Sequence, residues 1–378
     1  MTDPLALAVL WQGAAPEDHA GEHGALVRNL DSGRIRSLDV TCYRPDLAGD
    51  LRPVDWPRLL GGFVDRAMDA RADVVHFQYF HGRSLPDLRP VVAQLRRQAR
   101  PPIIVTSVGD PLGAPLNPAP RSLLAAASVS DLVVASSMGS LAARLLRAGA
   151  PRVTLVPLSA DEVRFAQLTH DVPVDDDVVF VGSLHSGRHP LRRHRWVAHQ
   201  RRRLVTALSD RFGARFALYG RGWEGCPSWR GPVRYSEQLE VIASAAVVVG
   251  GYPHSHEPYY LSDRPFISMR SGRPVVDLRV EGVGSVLEPG VEWELADRPS
   301  EVVTCVERLL DDPERAAAIG AGGAAAVESR HLTRHRVDLV LQMCDELIDA
   351  RKQDRSARCP PLRYAVEGSA LPGASVGW

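Results

Sequence analysis

In the second half of this chain, glycine, serine and arginine gather where apolar runs end, and that combination suits an anion. Val178-Val-Phe-Val-Gly-Ser-Leu184 closes on Gly182 and Ser183, with Arg188 close behind. Tyr219-Gly-Arg-Gly-Trp223 sets Arg221 between two glycines at the end of a second run. A third run, Ala245-Ala-Val-Val-Val-Gly-Gly251, enters a polar, aromatic loop holding Tyr260, Ser262, Asp263 and Arg264, and Gly282 opens the turn after the strand that follows. Glycine lets backbone N–H groups approach a phosphate, a helix start adds partial positive charge, and guanidinium forms paired, charge-assisted bonds to it. Several such loops in one half of a chain point to a nucleoside diphosphate lying across the ends of a parallel sheet.

Each feature also has a plainer explanation. Arg188 opens a run to Arg203 that holds six further arginines and three histidines, as a solvated basic face would. Gly220 and Gly222 suit an ordinary turn under a packed Trp223. Ser262 or Asp263 suits a helix N-cap, a role compatible with holding hydroxyl groups.

The first half offers acid–base groups. Gln12-Gly-Ala-Ala15 precedes Glu17, Asp18 and His19; His76-Phe-Gln-Tyr-Phe-His-Gly82 and Ser107-Val-Gly-Asp110 end two later runs. A base for a substrate hydroxyl is expected among Asp110, His81 and His76. Packing within a strand is the competing explanation for His76. Gly13, His19 and Gln78 are the candidates for a second substrate.

The elements that must carry these residues alternate. Short apolar runs at 5–10, 37–41, 74–77, 103–107, 132–136 and 153–157 are separated by helical patterns at 56–69, 88–97, 122–128 and 140–148. The pattern restarts near Asp175, with strands predicted at 178–182, 215–219, 247–250, 274–278 and 293–296. Helices are predicted there at 196–209, 236–244, 265–269 and 299–310, with a long last one at 334–352. Continuously apolar strands alternating with helices make parallel sheets buried on both faces. The fold class is α/β: two Rossmann-like, doubly wound domains, 1–170 and 176–345, facing across a cleft at their strand C-termini. The final helix is a candidate to pack back on the first domain. Composition from Asp354 to the end predicts a loose tail.

Composition excludes several classes. Lys+Arg and Asp+Glu are both 45 in 378 residues, which leaves no net field to gather nucleic acid. The five cysteines are scattered without zinc spacing, as expected of free thiols in the cytoplasm. No apolar stretch approaches the roughly 20 residues that span a bilayer. No P-loop, HExxH or nucleophile elbow is present, and no resident cofactor or metal is expected.

Taken in order, the landmarks 72–78, 102–106, 131–136 and 153–161 resemble the N-domain of GT-B glycosyltransferases of the family 4 type. Phe180–Ser183 with Tyr219–Trp223, then Ser262–Arg264, Ser271-Gly-Arg-Pro-Val275, Gly282 and Leu287-Glu-Pro-Gly290, resemble the C-domain of the related CgeB-like group. The resemblance covers most of residues 1–345. It implies glycosyl transfer from a nucleotide-diphosphate sugar to a hydroxyl of a small molecule or glycan. It also implies no bound metal and a retaining outcome; the Arg- and Ala-rich composition and the length fit a place in bacterial natural-product or surface-glycan biosynthesis. Carried over by position, Gly182, Ser183, Arg188 and Arg221 would meet the diphosphate, and Ser262–Arg264 the sugar, phosphate or ribose. Two departures stand out: the family's paired glutamates fall at Tyr259 and Ile267, and its histidine after the fourth strand is replaced around Val108-Gly-Asp110. A nucleotide-sugar epimerase-like enzyme and a catalytically inactive binding or scaffold protein are the alternatives.

Overall fold

The computed structural model describes residues 3–49, 53–80, 82, 85–112, 118–184, 192–251, 257–353 and 374–375. The chain divides into two compact units. The first runs to Val156 and regains the chain from Thr333; the second takes Pro157–Leu332.

The first unit alternates strand and helix from its start. Its elements are β1 (Leu5–Trp11), α1 (Ala20–Asp31), β2 (Ile35–Cys42), α2 (Trp56–Asp69), β3 (Val74–Gln78), α3 (Arg89–Leu95), β4 (Ile103–Val108), α4 (Arg121–Ala127), β5 (Leu132–Ala135), α5 (Ser140–Arg147) and β6 (Arg152–Leu155). All seven residues of β1 are buried, as a central parallel strand covered on both faces requires.

The second unit repeats the scheme. It contains β7 (Asp176–Val181), α6 (Arg192–Phe212), β8 (Phe216–Tyr219), β9 (Trp229–Gly231), α7 (Gln238–Ala243), β10 (Ala245–Val249), α8 (Arg264–Met269), β11 (Val275–Leu278), β12 (Glu294–Ala296), α9 (Pro299–Asp311) and α10 (Pro313–Arg330). The chain then returns to the first unit as α11 (Thr333–Lys352). There α11 packs on α1 through Asn29 Nδ2, which donates to Asp338 at 2.9 Å.

Both sheets reverse their strand order next to their first strand. The first reads β6-β5-β4-β3-β1-β2, all parallel, so the order turns between β1 and β3. The second reads β12-β11-β10-β7-β8-β9, also parallel, and turns between β7 and β10. At such a point the crossovers leave in opposite directions and open a crevice at the strand C-termini.

Helix α6 covers the second sheet. Its buried positions Ala198, Leu204, Val205, Leu208 and Phe212 face Val178, Phe180 and Phe216. Burying each large apolar side chain contributes about 1.5–3 kcal/mol.

Four features differ from the sequence expectation. Helix α1 falls where no helix was expected. The strand β9 was not foreseen, because three residues show no periodicity. Residues 157–170, expected in the first domain, cluster with the second. Ala160 N–H donates to His331 O at 3.0 Å, the Phe165 ring meets Tyr235 at 4.9 Å, and Arg273 reaches Val172 O at 3.3 Å. Within the expected loose tail, Ala374–Ser375 (β13) pairs antiparallel with β6 at the sheet's edge.

Candidate functional site

In the second unit the loops leaving β7 and β8 are knitted together. Gly182 N–H donates to Tyr219 O at 2.8 Å, and Leu184 N–H to Arg221 O at 2.8 Å. Arg221 N–H donates to Ser183 Oγ at 3.2 Å, and Trp223 Nε1 to Gly182 O at 2.6 Å. Glycine is obligatory in this seam. Gly220 has φ +133°, and a Cβ on it would stand 2.5 Å from Gly182 O. The Arg221 guanidinium is exposed. Burial, and then Asp176 at the start of β7, holds the Tyr219 phenol above its usual range, and the Tyr219 carbonyl accepts from Gly182 N–H.

Across the switch point, β10 ends in Gly250 and Gly251. A Cβ on Gly250 would lie 1.9 Å from Asp277 Oδ2, and one on Gly251 would lie 2.3 Å from the Phe180 ring. Asp277, near the end of β11, is 1% exposed, and its Oδ1 accepts Leu278 N–H at 2.7 Å. Burial pushes its carboxyl well above the usual range, against the pull of Arg264 and Arg201.

Two guanidinium groups share this place. Arg201, on α6, is 4% exposed and donates from Nε and Nη2 to Gly251 O, both at 3.2 Å, and from Nη1 to Ser183 O. Burial, with Arg264 adding to it, pushes Arg201 down to about 9, which leaves it cationic at neutral pH. Arg264 opens α8, and its Nη1 lies 3.5 Å from the point a Cβ on Gly182 would occupy. Its Nε is buried without a hydrogen-bond partner. The two guanidinium groups place positive charge beside the glycine loops.

The remaining candidates surround α8. Tyr260 is 5% exposed and lies within electrostatic reach of Arg201. Ser262 is partly buried. Asp263 occupies the N-cap position of α8 without capping it; its Oδ2 accepts the Tyr235 hydroxyl instead. Gly282, φ +81°, is roofed by the Tyr259 ring, whose own residue has φ +62° and donates N–H to Glu281 O at 2.7 Å. Ile267 is 1% exposed in the core face of α8, which leaves that position no route to a ligand. Arg188 lies outside the described residues.

The first unit has its own constellation at the β1/β3 switch point. Glu22 on α1 accepts from Gln78 Nε2 with one oxygen and from the Tyr79 hydroxyl, at 3.2 Å, with the other. His19 Nδ1 lies 3.3 Å from Glu22, and its Nε2 lies 2.7 Å from Gln12 O. With an acceptor at each nitrogen, the ring donates to both only as imidazolium. Gly13 follows Gln12 and is packed against Asp18, whose Oδ2 accepts Ala14 N–H at 2.7 Å. His76 Nε2 meets Ser107 Oγ at 2.6 Å, and burial pushes its imidazole down to about 4, so it is neutral. Asp110 is exposed beyond the end of β4. His81 lies outside the described residues.

Sequence reasoning brought Gly13, His19 and Gln78 into one network, and Gly182, Ser183, Arg221 and Arg264 into another. It missed Arg201, Asp277 and Glu22. Arg201 could have been found: it falls on the 198, 201, 205, 208, 212 stripe of α6, where the other residues are apolar. Asp277 likewise interrupts a buried run, Val275-Val-Asp-Leu278.

Residues 192–342 match the glycosyl transferase-like family. The fold is that of GT-B glycosyltransferases. HepE of Anabaena, solved with UDP and glucose, matches at 15% identity and TM-score 0.58, over 89% of this chain and 98% of that one. Sucrose-phosphate synthase of Thermosynechococcus elongatus matches at 17% identity and TM-score 0.60, over 92% and 100%. Trehalose 6-phosphate synthase of Burkholderia multivorans matches at 12% and 0.59, over 92% and 100%. No curated protein sequence matches the chain. Within the matched residues lie both buried arginines, Asp277 and every glycine of the second switch point except Gly182. No described helix is long and apolar enough to cross a membrane.

Proposed function

We propose that this chain is a glycosyltransferase that moves a sugar from a nucleoside-diphosphate sugar to an acceptor hydroxyl. The observation that carries the reading is Arg264, a guanidinium with a buried, unpartnered Nε set against Gly182 at the β7/β10 switch point. A diphosphate there gains the charge of Arg264, with Arg201 behind it, and the backbone of the glycine loops. The bond from the sugar's anomeric carbon to the diphosphate oxygen breaks, and a bond to the acceptor oxygen forms. The leaving diphosphate carries away the electron pair, and the acceptor gives up a proton. Guanidinium stabilises that leaving group in the role a divalent metal takes elsewhere, so turnover without metal is part of the proposal. A retaining outcome follows the clan resemblance; the composition and length fit a product in natural-product or surface-glycan assembly. Acceptor binding is assigned to the His19–Glu22–Gln78 cluster of the first unit, with Asp110 or neutral His76 as the base. HepE was solved with UDP-glucose, which makes a uridine diphosphate the first donor to try.

A second reading, a binding protein without turnover, is favoured by Ile267 and Tyr259 standing where the resemblance expects glutamates. The test is thermal stabilisation by UDP, GDP, TDP, ADP and CDP in excess chelator, followed by transfer assays with the sugar form of the best one. Binding to the native state alone adds about 2.7 kcal/mol at a hundredfold excess over Kd. One nucleotide standing clear of the others, then consumption of its sugar form, is expected. Stabilisation without consumption selects the binding protein, and no stabilisation by any nucleotide removes both readings.

A further inference from the structure

We propose that Arg201 is the positioning residue of this site: one buried guanidinium ties the loop leaving β7 to the loop leaving β10 and holds the crevice between them at its working width. The role rests on the transferase reading for its purpose but on geometry for its existence. Strands β7 and β10 are neighbours, paired at Val178 and Val247. Beyond their last paired residues, Ser183 O and Gly251 O accept from the same side chain. Three donors meeting two carbonyls on separate loops match a rigid planar fork; an ammonium is a point charge that cannot reproduce it.

The surroundings show why this tie needs a charged group. A Cβ on Gly251 would lie 2.3 Å from the Phe180 ring and one on Gly182 2.9 Å from it, so both loops pass directly beside that ring. Arg201 approaches from the α6 side, where its neighbours on the stripe, Ala198 and Val205, are buried. A buried cation is costly unless its donors are satisfied, and here the two loop carbonyls satisfy it. Its charge remains behind the loops, and Arg264 remains the group that meets the ligand.

The test uses the full chain with Arg201→Met, Arg201→Lys and the exposed neighbour Arg202→Met as control. Hydrogen exchange is followed at Leu184, Gly250 and Gly251 without ligand, each variant first checked for a native thermal transition. At least tenfold faster exchange is expected in Arg201→Met, a partial effect in Arg201→Lys and none in Arg202→Met. UDP affinity is expected to fall at least tenfold in Arg201→Met, while uridine affinity changes less than threefold. A general loss of structure would weaken both ligands alike and speed exchange throughout the unit, and that result overturns the proposal. Unchanged exchange at the three amides also overturns it. If Arg201→Met does not fold, Arg201→Lys alone decides: full retention of loop protection and UDP affinity overturns the role. Wild type that binds no nucleotide while Arg201→Met still frees the loops refutes the transferase reading and leaves the tie intact.

Discussion

The Arg264 guanidinium rests against Gly182, its Nη1 3.5 Å from where a Cβ on that glycine would stand. A Cβ at 182 would reach the cation at ordinary contact distance and would crowd the Phe180 ring, at 2.9 Å, so the cation lies directly against the bare backbone of the loop. Arg264→Met is therefore expected to cut nucleotide affinity at least tenfold. Its stability should hold or rise, because a buried unsatisfied donor costs about 1–3 kcal/mol and Arg201 no longer faces a second positive charge. Calorimetric titration beside a thermal melt checks this; a large loss of stability would make Arg264 a structural residue.

Gly250 and Asp277 form a second fixed pair. With a Cβ placed 1.9 Å from Asp277 Oδ2, Gly250→Ala forces the buried carboxyl to move. A loss of about 1–3 kcal/mol is expected from overpacking, measured by urea denaturation. Adding Asp277→Ala should recover part of it, since neighbouring changes couple. Strict additivity would mean the two groups do not touch.

The upward shift of Asp277 has a pH signature. Burial makes the native carboxyl hold its proton to higher pH than the unfolded chain, which loses one near pH 3.9, so this residue lowers stability as pH rises above that point. Asp277→Asn has no such term. The melting temperature of the variant minus that of wild type should grow from pH 4 to pH 7. A difference that stays flat would mean that Asp277 is ionised in the folded protein.

His76 acts in the opposite direction. Its ring is held neutral with a pKa of about 4, burial outweighing the pull of Glu22, whereas the unfolded ring titrates near 6.5. Stability is present above pH 6.5 and falls as pH drops from about 6.5 toward about 4. His76→Gln should flatten that limb in a melt series, and an unchanged acid slope would place the proton uptake elsewhere.

Most of the scaffold was readable because strands such as β1, β4 and β10 are near-unbroken apolar runs and helices such as α2 and α9 are amphipathic. The glycines were readable as well: only glycine fits the φ of +133° at Gly220, and its place between Tyr219 and Arg221 signals a turn. Charged residues that point inward were harder. Arg201 is one arginine among seven in its stretch, and only its phase on α6 separates it from solvated neighbours. Glu22 was hidden because its partners, Gln78 and Tyr79, are 56 and 57 residues away and reach it only through strand pairing. Asp263 misled because a residue suited to capping was taken by the Tyr235 hydroxyl.

The return of α11 to the first unit sets an order of events during synthesis. Asn29 and Arg34 of that unit meet Asp338 and Asp345, residues that leave the ribosome after the whole of 157–332. At roughly 5–20 residues per second that interval is roughly 9–35 s. Among the described residues the second unit is contiguous in the chain and can close as it emerges, so the half that is translated first is completed last.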